Sequence, residues 1–115
     1  MEDKIVGVDA MEEAVRLISM AEIFVAAIAQ RKIVAVEFHA KSGKGLLSRK
    51  CCPLDIGPSQ RAKTKTTKFH FWDTENKHVI SLDGNQIVRL SATDESFNPK
   101  EVVTWPAKWH IGRNW

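Results

Sequence analysis

The sequence is short of the features that would commit it to a staple, a metal or a membrane. It has two cysteines, and they are neighbours, Cys51 and Cys52. A disulfide between adjacent residues closes almost no loop and needs strained geometry, so the pair makes no useful cross-link. Zinc is equally unexpected: two adjacent thiolates lack the intervening residues that let both reach one tetrahedral ion, and His39, His70, His78 and His110 are scattered. No metal and no cofactor is therefore expected. On a strand the two thiols should divide into one small core residue and one semi-exposed residue.

Long apolar runs are missing as well. The longest, residues 23–29, is far too short to cross a bilayer. The N-terminus is acidic and shows no apolar core followed by a small-residue cleavage pattern. These absences predict no membrane partner and a cytoplasmic, reducing setting. No internal repeat or low-complexity tract is present. "GKGLLS" is not a phosphate-cradling loop, because its spacing is wrong and it runs from strand to strand. A Cys–His pair, Cys51 or Cys52 with His39 or His70, has no orienting motif around it, so no enzyme is expected.

What is present is a 115-residue chain with 43% hydrophobic content, enough for one compact domain with a single core. Its formal charge is only +3, but the distribution is uneven. Residues 41–72 carry eight lysines and arginines against one carboxylate, Asp55, a net of +7, which leaves −4 for the rest of the chain.

Asp9 and Glu12 resemble a capping box, and Met11, Ala14, Val15, Ile18, Val25 and Ile28 recur near the helical period. This predicts a helix over residues 10–31, with Ser19 and Glu22 as a possible second cap. Its second half, "EIFVAAIAQ", is apolar on nearly all sides and should be buried, and Met11 and Met20 should fill core space. From Ile33 the period changes to two. "IVAVEFHA" reads as a strand, "KSGKG" as a turn and "LLSRKCCPL" as the returning strand of a hairpin. "IGPSQRAKTKT" has loop composition, "KFHFW" and "HVISL" flank the turn "DTENK", and "QIVRLSA" follows the tight turn "DGN". "EVVTW" is expected as one more extended piece. One helix followed by about five short strands predicts an α+β fold, with the helix packed on a small, strongly bent antiparallel sheet or barrel.

Residues 27–99 resemble the WYL domain family in the order and spacing of their segments. "AIAQRKIVAVEFHAKSG" is similar to that family's helix end, basic pair and first hairpin, and "LLSRKCCPLDIG" to its strand with an arginine shortly before a Pro-Leu pair. "FHFWD" falls at the name-giving Trp-Tyr-Leu strand, and "HVISLDGNQIVRLSATDESFNP" resembles the closing strands and terminal Phe motif. The chain departs from the pattern at Phe69, His70 and Phe71, which stand where Trp, Tyr and Leu are expected, and at Gln86, where an arginine is usual. The resemblance implies an SH3-type, Sm-like barrel preceded by a helix. It divides the chain into a helical segment 1–31, a barrel 32–99 and a Trp-rich extension 100–115. It also implies a regulatory module that senses a ligand or binds nucleic acid, of the kind found in transcription regulators, with Arg49 as the carried-over pocket arginine.

The residues themselves point the same way in "QRAKTKTTKFHFW". Lysines can neutralise phosphates, and an exposed aromatic offers a face for a base to stack on. Strand alternation puts Lys68, His70 and Trp72 on one face and Phe69 and Phe71 on the other, toward the core. The expected site is therefore Arg49, Lys63, Lys65, Lys68, His70 and Trp72, binding a single-stranded nucleic acid or a nucleotide-like anion. The bland alternative is a solvated basic loop. Residues 1–31 offer no basic recognition helix. Trp105, Trp109 and Trp115 either cover an open barrel edge or form a surface for a protein partner or a second copy, together with the apolar helix.

Overall fold

A computed structural model describes residues 2–43, 45–59 and 66–115, with side chains from residue 10 onward. Helix α1 spans Glu2–Gln30. It starts well before Asp9, which lies inside it, because Gly7 is the only strong helix breaker upstream and costs about 1 kcal/mol relative to alanine. There is no break at Ser19. The helix ends where Arg31 turns left-handed, at φ 58°, with its N–H donated to the Ile28 carbonyl at 3.2 Å.

Five strands follow: β1 (Lys32–His39), β2 (Leu46–Pro58), β3 (Thr67–Asp73), β4 (His78–Asp83) and β5 (Ile87–Ser96). They form one antiparallel sheet in the order β4-β3-β2-β1-β5. Strand β2 carries the bend. Its first half pairs with β1 (Val34 opposite Cys51, Phe38 opposite Leu47), and its second half pairs with β3 (Cys51 opposite Asp73, Gly57 opposite Lys68). The register slips between Pro53 and Asp55, where proline has no N–H to give the ladder. A single 3₁₀ turn, Gly84–Gln86, links β4 to β5 and so joins the two edge strands of the bent sheet. This is the α+β arrangement, one helix on a bent antiparallel sheet of five strands, expected from the run of short alternating segments.

The core lies between the concave sheet and one face of α1. Met20, Phe24, Ala27 and Ile28 meet Val34, Val36, Phe38, Cys51, Phe69, Phe71, Leu82, Ile87 and Leu90. Phe24 sits edge-on to both Phe69 and Phe71, with centroids 5.4 and 5.2 Å away, a favoured arrangement of aromatic quadrupoles. Arg16 fastens the helix to the far edge by donating to the Gly84 carbonyl at 3.0 Å and the Ile87 carbonyl at 2.8 Å.

Several expectations need correction. The second half of α1 is buried on one side only, and Ile23 and Val25 are exposed. Met20 fills core space, but Met11 does not, because the barrel reaches only the C-terminal half of the helix. "IGP" belongs to β2 rather than to a loop. "EVVTW" is not extended: Pro99–Val102 forms a helical turn (α2), capped by the Asn98 side chain, which accepts from the Lys100 N–H. Both cysteines are fully buried, not one of the two.

Candidate anion-binding cleft

The expected site residues do not form one cluster. Lys63 and Lys65 lie outside the described residues. Arg49 stands opposite the buried Val36 in the β1–β2 ladder, so its side chain shares the concave side of the sheet rather than the outer one. There its Nε is 3.6 Å from the buried Asp73 carboxylate and its Nη1 donates to the Ser48 carbonyl at 2.8 Å. Asp73 in turn caps the β3–β4 turn, accepting from the N–H groups of Glu75 and Asn76 and from the Asn76 amide. Burial pushes the Asp73 carboxyl up, but the bonds from Asn76 and Glu75, with Arg49 nearby, outweigh it and hold the group below its ordinary range. Arg49 is thus tied into a structural ion pair.

Lys68, His70 and Trp72 share the outer face of β3, because Phe69 and Phe71 take the alternate positions in the core. Lys68 is 3.3 Å from Asp83, which Lys41 also reaches at 2.9 Å. The hydrogen bond from Lys41, with Lys68 beside it and burial opposing, keeps the Asp83 carboxyl below its usual range. His70 has both ring nitrogens engaged: Nε2 is 2.9 Å from the Gly57 carbonyl and Nδ1 is 2.7 Å from the Ser81 hydroxyl. A carbonyl only accepts, so Nε2 carries a proton, and in the neutral ring the Ser81 hydroxyl donates to Nδ1. Trp72 is half-buried, with the indole of Trp105 packed against it at 5.9 Å and a tilt of 32°. One stacking face of Trp72 is therefore already taken.

The C-terminal segment creates this cover. Arg113 and Asp55 form a buried ion pair at 3.2 Å, and Arg113 also donates to the Leu54 carbonyl. Asp55 accepts from the N–H groups of His110 and Ile111 as well, at 3.0 and 2.9 Å. Burial lowers the proton affinity of Arg113 while Asp55 raises it, and a guanidinium stays charged throughout the physiological range. Its Cζ lies over the Trp109 ring, 3.8 Å from the centroid, and 4.7 Å from the centroid of the Trp115 ring. Trp115 packs edge-on to Phe97 and donates its indole N–H to the Ile28 carbonyl at the end of α1, 2.8 Å away. The His110 ring presses on Gly57 so closely that a Cβ there would meet its Cδ2 at 2.3 Å. Trp109 and Trp115 are thus packing residues, and Trp105 lies over the outer face of β3.

Between this segment and β3–β4 lies an open cleft of about 630 Å³. His70, His78, Ser81, Trp105, Lys108 and His110 are among its walls. Among the described residues Asp55 is the sole carboxylate lining it, and that charge is matched by Arg113. Ser59 also lines the cleft. A volume in this range accommodates a small organic ligand, and indole and imidazole walls with an exposed lysine suit an aromatic anion. Of the described residues expected at the site, His70 lines this cleft and Arg49, Lys68 and Trp72 do not; His78, Lys108 and His110 were not expected from the sequence. The clustered tryptophans of the tail were the available signal.

No family model matches the chain, and no curated protein sequence matches it. A solved structure does. The chain superposes on Proteasome accessory factor B/C (PafBC) of Arthrobacter aurescens with a TM-score of 0.62 at 9% identity, over 83% of this chain and 14% of that one. The likeness is one of fold, a helix on a bent five-stranded sheet, and this chain spans only a small part of the larger protein. Among the described residues no group of three or more His, Cys, Asp or Glu is placed to hold a metal ion, and no helix is long and apolar enough to cross a membrane.

Proposed function

We propose that the protein is a non-catalytic regulatory or accessory module that binds a short single-stranded nucleic acid or a nucleotide-like anion in the cleft between β3–β4 and the C-terminal segment. The observation that carries this reading is the cleft's lining: tryptophan and histidine walls, Lys108 among them, and no unmatched carboxylate among the described residues. Aromatic rings supply a stacking surface that tolerates any base, and lysine supplies a phosphate contact. The net of +7 in residues 41–72 would favour association with an anion. The resemblance to WYL domains implies the same class of ligand. A non-catalytic role fits the chemistry of the side chains, since both thiols are buried and both nitrogens of His70 are engaged. A cytoplasmic setting goes with this reading.

Titration of labelled single-stranded oligonucleotides and of nucleoside phosphates, at low and moderate salt, tests it. Wild type should bind at low salt and weaken as salt rises. Lys108→Ala should flatten the salt dependence, whereas Trp105→Ala should weaken binding at every salt concentration by about 1–3 kcal/mol per stacked base. Arg49→Ala should leave binding intact. No binding of either probe at low salt, or full affinity in both cleft variants, overturns the reading.

A further inference from the structure

Helix α1 has two apolar faces, and the barrel uses one. The buried face runs through Leu17, Met20, Phe24 and Ala27. On the opposite side Met11, Val15 and Ile18 are 71%, 63% and 59% exposed, and Val25 continues the line at 38%. We infer that this outward face is a self-association surface on which a second copy of the chain lays its own α1, antiparallel to the first. The inference is independent of the cleft.

Three observations select a second copy. Met11, Val15, Ile18, Glu22 and Val25 are separated by steps of four, three, four and three, the period at which one helix packs into the holes of another. The occupant is therefore a helix. Among the described residues the other helix, Pro99–Val102, is a single turn, so the long helix available from a second copy is α1.

The second observation is support. Residues 10–15 are all exposed, so this stretch of the helix gains little burial from the barrel, and a helical arm without such packing is marginal in water. In an antiparallel pair centred on Ile18, the arm of each copy, Met11 to Val15, lies along Ala21 to Val25 of the other, the part its own barrel holds in place. The third is charge. Glu22 is the one ionised residue in the line; a parallel pair would set Glu22 against Glu22, whereas the antiparallel pair sets it against Ala14. Because the face points away from the barrel, two copies meet along their helices without their sheets colliding. The contact is small, on the order of 1,000 Å² in total, which places the pair at the weak end of specific interfaces.

Sedimentation velocity of the full chain across the micromolar range reads this directly. The wild type should approach twice the monomer mass with increasing concentration. Ile18→Glu should halve that mass at the top concentration, while at dilutions where the wild type is monomeric the two should share one far-ultraviolet circular dichroism spectrum and melting temperature, because Ile18 faces solvent in the monomer. Ile18→Cys, at the two-fold centre, should give a disulfide-linked dimer on mild oxidation, and Met11→Cys should not; the buried native cysteines will not interfere. A wild type that stays monomeric throughout, or an Ile18→Glu variant that remains dimeric, overturns the inference. Cross-linking of Met11→Cys as readily as Ile18→Cys overturns the antiparallel arrangement.

Discussion

Cys51 and Cys52 show what alternation along a strand can and cannot say. Neighbouring side chains do point to opposite faces, and Cys51 does enter the barrel core. Cys52 stands opposite Trp72, against which Trp105 packs, and it is buried as well. Burial pushes both thiols up to about 12, with Asp73 adding to the effect at Cys51. The thiolate is the reactive form, and almost none exists at neutral pH. Ellman's reagent should label neither cysteine in the folded protein and both in urea. Prompt labelling of either thiol without denaturant would show that its burial does not persist in solution.

At the scale of elements, the join that matters is between β2 and the C-terminal segment. It rests on Arg113 and Asp55, the most deeply buried ion pair described, with side-chain exposures of 1% and 8%. Removing one member of such a pair leaves the other charge desolvated and uncompensated. Arg113→Ala should lower stability to urea by about 3 kcal/mol and expose the chain after Lys108 to trypsin. Asp55→Asn should act in the same direction, and the double variant should cost less than the two single changes added together. An Arg113→Ala protein as stable as wild type, with its tail still protected, would show that the indoles alone hold the segment.

For the whole molecule, acid is the condition that tests the electrostatics. Asp73 and Asp83 both have carboxyls held below their ordinary range, at opposite ends of β3 and β4. A depressed folded-state value means that the stabilisation is complete above the unfolded carboxylate value near 3.8 and is lost as pH falls through the lower, folded value. Melting temperature should therefore be insensitive to these groups between pH 7 and pH 5 and fall below about pH 4. Asp73→Asn should start lower, having lost the Arg49 partner and part of the turn cap, and should lose less over the acid interval. Equal acid sensitivity in wild type and Asp73→Asn would remove Asp73 from the account.

The sequence by itself determined the order of helix and strands, the bent antiparallel sheet and the inward turn of Phe69 and Phe71, because these follow from local periodicity and turn chemistry. It also placed His70 and Trp72 on one outer face, since alternation is a property of the strand alone. The fate of Arg49 was not legible, because its partner Asp73 is twenty-four residues away and meets it only when β2 bends onto β3. Nor was the cleft, whose walls at His78, Lys108 and His110 come from segments about thirty residues apart. The tail has no period to read: its course is set by Asp55, Gly57 and the Ile28 carbonyl, which receive Arg113, His110 and Trp115. Only the tertiary structure decided which apolar face of α1 would be buried, because a helix rich in apolar residues on two sides specifies both equally until a barrel covers one.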